Sequence, residues 1–130
     1  MVIKGDIRSW QDALNSRCNW GWLMGAFGPT ISPTDIDKIV ERHGQFLVTE
    51  VKRPGQQVPQ GQMLLLEALN RLPRFTVVIL EGEIENHEIW PMRLYTFGEG
   101  WQPATRPSYR AFCCEWYARV NGIWHNEAQS

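Results

Sequence analysis

Long hydrophobic runs are missing from this sequence: its apolar stretches fall far short of the ~18 residues a membrane-spanning helix needs. The opening residues, MVIKGDIRSW, lack the apolar centre of a secretory signal, so a cytoplasmic setting is expected. Charge of one sign is missing too. With 13 Lys and Arg against 14 Asp and Glu, the net charge is −1, which excludes a generic polyanion binder. Any contact with nucleic acid must then come from a local basic surface, or from a metal that screens the phosphate. Cysteine is scarce: Cys18, Cys113 and Cys114 cannot all pair within the chain, and no CxxC spacing provides a zinc site. They read as small buried hydrophobes in a reducing compartment, with a redox device at the adjacent pair as the lesser alternative. No repeat or linker divides the sequence. A hydrophobic content of 43% with 21% charged residues is ordinary globular usage and excludes disordered and fibrous classes. A chain of 130 residues suits one core, so residues 1–130 are expected to form a single domain.

What is present reads as helices alternating with strands. Residues 6–17, DIRSWQDALNSR, set Ile7, Trp10, Ala13 and Leu14 at helical spacing behind Asp6 as cap. Residues 20–27 read as an irregular strand or loop bent at its glycines. Residues 36–40 alternate with charge as a strand does, Arg42-His43-Gly44-Gln45 is a tight turn, and residues 46–52, FLVTEVK, are a second strand. Arg53-Pro54-Gly55 stops it. From Gln60, QGQMLLLEALNRL carries Met63, Leu65, Leu66, Leu69 and Leu72 on a broad helical stripe that Pro73 closes. Residues 75–80, FTVVIL, suit a buried strand parallel to FLVTEVK, reached by a right-handed crossover. EGEIENHE, from Glu81, reads as a polar loop, IWPMRLYTF as a short strand interrupted at Pro91, and residues 98–107 as a loop. Residues 108–120 read as a last helix capped by Ser108, ahead of a frayed tail. The fold class is α/β, a central mixed sheet flanked by helices.

Chemistry concentrates in residues 33–62, PTDIDKIVERHGQFLVTEVKRPGQQVPQGQ. Glu50 and Lys52 are two apart, so they share one face of their strand while Val51 points to the other. A carboxylate and an ammonium buried side by side in a sheet are costly unless they pair or bind a metal. Asp37 precedes Glu50 by 13 positions, the spacing that a hairpin of two short strands consumes. That would gather two carboxylates and a lysine. Asp35 has the same parity and stands one pair further out. Hard oxygen ligands from Asp37 and Glu50, with the carbonyl of Val51 as a third, suit Mg2+ or Mn2+. Beside such an ion, Lys52 orients an attacking water or offsets charge building on a phosphodiester. The plain alternative is an exposed strand face with an incidental ion pair.

Taken together, the Asp-Ile-Asp of residues 35–37, the Glu-Val-Lys of residues 50–52 and a helix opened by glutamine resemble the signature of the PD-(D/E)XK nuclease superfamily. The run EVKRPGQQVPQGQMLLLEAL is similar to the small stand-alone VRR-NUC and phage-type members, whose ExK is followed by a charged residue, a proline-glycine turn and a glutamine-bearing helix. The similarity covers residues 33–80. It implies a restriction-endonuclease-like core and a Mg2+- or Mn2+-dependent deoxyribonuclease. Residue by residue, it makes Asp37 and Glu50 metal ligands and Lys52 the catalytic lysine. Gln62, or Gln60 two positions earlier, becomes the residue near the nucleophilic water or the substrate phosphate. Many members carry a further glutamate on their first helix, where this chain offers only Asp6 and Asp12, and Asp35 competes with Asp37 as ligand.

Around this centre the expected partner is DNA. Arg53 adjoins the site and is the arginine best placed to meet phosphate, ahead of Arg71, Arg74, Arg93, Arg106 and Arg110. Trp90, Trp101, Trp116 and Trp124 either stack on splayed bases or fill a core or subunit interface. Glu81, Glu83, Glu85 and Glu88 read as a solvated loop, with a second metal site as the alternative. His43 falls at the hairpin turn and reads as solvated. A homodimer would use the apolar C-terminal half. A rival reading keeps the fold without the chemistry: a nuclease-like module that binds nucleic acid or a protein partner.

Overall fold

The turn chemistry of Arg42-His43-Gly44-Gln45 produces the hairpin it implies. In the computed structural model, which describes residues 21–29 and 36–129 with side chains as far as residue 122, His43 and Gly44 have φ of 53° and 76°. Both central residues are left-handed, as a two-residue type I′ turn requires, and glycine accepts that conformation without strain. The Glu41 carboxylate accepts the Gly44 N–H at 2.8 Å and closes the turn. The turn joins β1 (Lys38–Arg42) to β2 (Gln45–Lys52). Helix α1 (Gln60–Asn70) then crosses to β3 (Phe75–Glu85), followed by β4 (Glu88–Thr96), β5 (Gly100–Pro103) and helix α2 (Arg106–Gln129).

By its contacts the chain separates into two compact units, residues 1–34 and 35–130. In the first, Gly21–Leu23 form a 3-10 turn and Gly25 bridges to Gly28, in keeping with a glycine-bent irregular segment. The helix expected over residues 6–17, with Asp6 and Asp12, lies outside the described residues, as do Cys18 and Asp35. The second unit holds a five-stranded sheet in the order β1-β2-β3-β4-β5. Only the β2–β3 pair is parallel, as the crossover helix demands. The result is the mixed sheet flanked by helices that the sequence pattern implies.

Alternation along β2 and β3 builds a core on each face. Val48, Val77 and Ile79 meet Leu66 of α1 on one side. Leu47 meets Trp116 and Val120 of α2 on the other. Trp116, one of the candidate base-stacking tryptophans, is therefore a core residue. Strand β1 forms one edge of the sheet and is exposed along its whole length. Two side-chain bonds tether it to α2: Lys38 Nζ donates to the Tyr109 hydroxyl at 3.1 Å, and Arg42 Nε donates to Asn121 Oδ1 at 3.1 Å.

Several expected boundaries are corrected. The first strand starts at Lys38 rather than residue 36, which leaves Asp37 just before it. The polar stretch from Glu81 is not a loop: β3 runs on to Glu85 and turns at Asn86-His87, both with positive φ, into β4. Strand β4 is continuous through Pro91. Proline is tolerated there because β5 pairs with β4 only from Arg93 to Thr96, so the strand is an edge at residue 91. Within residues 98–107 lies β5. Helix α2 is capped by Thr105, not Ser108: Thr105 Oγ1 accepts the Ser108 N–H at 3.1 Å, and Ser108 Oγ accepts the Thr105 N–H at 2.8 Å. The backbone of the tail continues this helix to Gln129. No helix among the described residues is long and apolar enough to cross a membrane.

Gly82 marks the bulge between β3 and β4, where the register shifts after Glu81. A Cβ at this position would collide with the Trp90 carbonyl and the Pro91 Cα. Both are backbone atoms that no rotamer change can move aside. Gly82→Ala should therefore destabilise the fold by about 3 kcal/mol in urea unfolding, against a few tenths for an exposed glycine such as Gly98. Equal midpoints for the two variants would refute this account of the bulge.

Candidate active site

The β1–β2 register pairs Lys38 with Thr49, so Asp37, one step beyond, stands opposite Glu50. Opposed residues of antiparallel strands share a face, which directs both carboxylates to the side covered by α1. β1 ends before Val51, and the Val51 N–H on that edge would lack a ladder partner. Asp37 Oδ2 accepts it at 2.9 Å. This bond fixes the aspartate, and because N–H and C=O of one strand residue face the same edge, the Val51 carbonyl is turned the same way. Asp37 is exposed while Glu50 is buried, so the pair spans from solvent into the core.

Glu50 and Lys52 are both buried, at 5% and 8% exposure, which rules out an incidental surface ion pair. Lys52 Nζ lies 3.8 Å from Glu50 Oε1, longer than a hydrogen bond. Glu50 Oε2 is fully buried and has no hydrogen-bond partner. The residue opposite Glu50 is Asp37, another acceptor when ionised, and two carboxylates bond one another only by sharing a proton. Burial raises the Glu50 pKa from its ordinary 4.5 to about 7, and Asp37 adds to the rise, while the Lys52 ammonium and the Gln62 amide oppose it. Asp37, Glu50, Lys52 and Gln62 thus act on one another at a single point.

Gln62 reaches this point from the first turn of α1, whose positive dipole end lies beside the carboxylates. Gln60, the first helical residue, is exposed, and helical geometry turns it to a different face from Gln62. Arg53 is exposed as well, directly after β2, and its N–H donates to Gln56 Oε1 at 3.0 Å. Among the described residues no three His, Cys, Asp or Glu side chains gather as a metal-ligating group. The donor set here is two carboxylates and a backbone carbonyl. It fits a hard divalent cation: Glu50 Oε2 is buried without a hydrogen-bond partner, and the Lys52 ammonium, 3.8 Å from Oε1, stands too far off to bond it.

Sequence reasoning missed the next residue on this face. Glu81 is the parallel register partner of Lys52, and Arg93 is the partner of Glu81 across the β3–β4 ladder. Instead of lying in a solvated loop, Glu81 is 6% exposed. It accepts Arg93 Nε at 2.9 Å and Nη2 at 3.0 Å, and it holds the Arg93 pKa above its ordinary value. The Arg93 guanidinium in turn lies over the Trp101 ring, 4.1 Å from its centroid. The alternation of Glu81, Glu83 and Glu85, followed by an asparagine at a tight turn, was the signal available. Glu83, Glu85 and Glu88 are exposed on the β3–β4 hairpin. Trp90 stacks under Arg106 at 3.7 Å from the ring centroid. Set against protein-family models, curated proteins and solved structures, the chain matches none, so the likeness to PD-(D/E)XK nucleases rests on the motif residues themselves.

Proposed function

We propose that this protein is a metal-dependent nuclease that hydrolyses DNA phosphodiester bonds. The observation that carries the reading is the buried, unpartnered Glu50 Oε2 facing Asp37, with a buried lysine beside it. Asp37, Glu50 and the Val51 carbonyl are the groups that would hold Mg2+ or Mn2+, consistent with the PD-(D/E)XK resemblance. When bound, such an ion supplies Lewis-acid polarisation of the phosphoryl group and a more acidic water.

The protein's own residues supply the rest. Asp37 is oriented by the Val51 N–H, so its remaining oxygen is presented without a search through rotamers. Lys52 is held near Glu50 by a long, loose contact that leaves its ammonium donors available for a water or a phosphate oxygen. Gln62 contributes an amide that can orient that water, and the α1 dipole favours an anion at the same place. Arg53, exposed directly after Lys52, and Gln60, exposed at the start of α1, are the groups to engage flanking phosphates.

The direct test is incubation of the purified protein with linear and branched DNAs in magnesium and in manganese. Strand cleavage in either metal, stopped by chelation, is the expected outcome. DNA left intact across the whole panel in both metals would leave the nuclease-like binding module as the better reading.

A further inference from the structure

One strand beyond Lys52, on the same sheet face, lies a cavity of about 420 Å3. Glu81 and Arg93 form part of its lining, with Trp101, Met63 and the loop residues Gln56 and Gln57. We propose that this cavity receives an unpaired nucleobase of the DNA strand being cut, stacked on the Arg93 guanidinium. The proposal rests on the nuclease reading and adds to it a substrate class: single-stranded or locally unpaired DNA.

The state of Arg93 decides between a phosphate and a base. Its Nε and Nη2 are both given to the Glu81 carboxylate, so the fork that would clamp a phosphate is already occupied. Its charge is balanced by the same carboxylate. One face of the guanidinium is covered by Trp101. Even so, the side chain remains 46% exposed, it lines the cavity, and its two bonds to Glu81 use Nε and Nη2 rather than Nη1. A planar cation locked by a bidentate partner and backed by an indole is a poor phosphate clamp and a good stacking plate. Unpaired bases stack on such guanidinium planes, whereas bases inside a duplex have no free face to offer.

The surroundings suit the edge of a base. Gln56 Oε1 accepts the Arg53 N–H, which leaves its amide NH2 as a donor, and Gln57 is exposed beside it. The volume falls within the ~300–1,000 Å3 usual for small-ligand pockets. Position suits it as well. Two strand spacings, about 10 Å, separate the backbones of Lys52 and Arg93. A base seated on Arg93 would therefore belong to a nucleotide close to the phosphodiester at Asp37 and Glu50.

Fluorescence anisotropy with the full-length Lys52→Ala protein tests this without cleavage. Three labelled ligands of equal length are compared: a single strand, the same strand without bases, and a duplex. The base-bearing strand should bind about 5- to 150-fold more tightly than the abasic strand, the span that stacking of one base supports. It should also bind more tightly than the duplex. Glu81→Gln combined with Arg93→Gln should shrink the first ratio towards one and leave affinity for the abasic strand unchanged. Gln57→Ala, on the exposed loop and away from the core, should lower the ratio about two- to fivefold. Equal affinity for base-bearing and abasic strands, an unchanged ratio in both variants, or no binding to single strands overturns the proposal. Cleavage by the wild-type protein without any base dependence removes the cavity assignment alone. A base-dependent affinity in a protein that never cuts removes the nuclease reading alone.

Discussion

Lys52→Ala should lower DNA cleavage by about 10^2- to 10^4-fold and leave cooperative unfolding intact. The lysine is buried but makes only a long, 3.8 Å contact with Glu50, so little folding free energy depends on it. Its positive charge does affect the site, because it opposes the upward shift of the Glu50 pKa. Removing it should push that carboxyl further towards the protonated form at neutral pH and weaken cation binding there. The variant should therefore regain metal binding as pH is raised, measured by calorimetric titration with manganese, without regaining cleavage. That split separates a lysine that acts on substrate from one that only keeps a carboxylate ionised. Wild-type cleavage by Lys52→Ala would remove the mechanism altogether.

Glu50→Gln should stabilise the metal-free protein at pH 8 while eliminating both activity and metal-induced stabilisation. In the folded chain Glu50 titrates near 7, against its ordinary 4.5. Below about pH 4.5 the group is protonated whether the chain is folded or not, and it contributes nothing to the pH dependence. Between about 4.5 and 7 the unfolded chain ionises while the folded chain keeps its proton, so stability falls as pH rises. Above about 7 the penalty levels off, on the order of 3 kcal/mol. Glutamine never ionises, and its amide can donate to the Asp37 carboxylate, a bond that the native pair cannot make without a shared proton. Urea unfolding in chelator should show the variant gaining over wild type from pH 5 to pH 8. Manganese at 100 times its Kd should raise wild-type stability by about 2.7 kcal/mol and leave Glu50→Gln unmoved. A Glu50→Gln protein that is less stable in chelator at pH 8, or that responds to manganese as wild type does, contradicts the site.

The central hairpin and crossover were readable because local signals agreed there. His43-Gly44 names its turn type, FLVTEVK and FTVVIL are strands by composition, and Gln60 to Leu72 has a helical stripe. Counting 13 residues from Asp37 to Glu50 also gave the correct opposition of carboxylates, since antiparallel register is arithmetic once the turn is known. The half from Glu81 onward was harder for a physical reason. Past Lys52, β3 has no β2 beside it, and its residues Glu83 and Glu85 face solvent. Glu81 is an exception to that polarity, buried because Arg93 meets it across the ladder, and the bulge at Gly82 shifts the pairing by one from what the Asn86-His87 turn alone implies. Strand β5 is hidden in a glycine- and proline-rich stretch, where pairing with β4 rather than propensity makes the strand. The first turn of α2 contains Pro107, which a helix tolerates there because that N–H needs no partner.

The exposed edge position of β1 has a further consequence, for it places half the carboxylate pair beside the most weakly sheltered strand of the sheet. Whenever that strand lifts away, through local opening rather than global unfolding, Asp37 departs and Glu50 is left alone. Under the proposed function, cation affinity would contain the equilibrium for docking β1. A substitution at Arg42, at the far end of the strand and remote from the phosphodiester, would loosen metal binding simply by letting the edge fray.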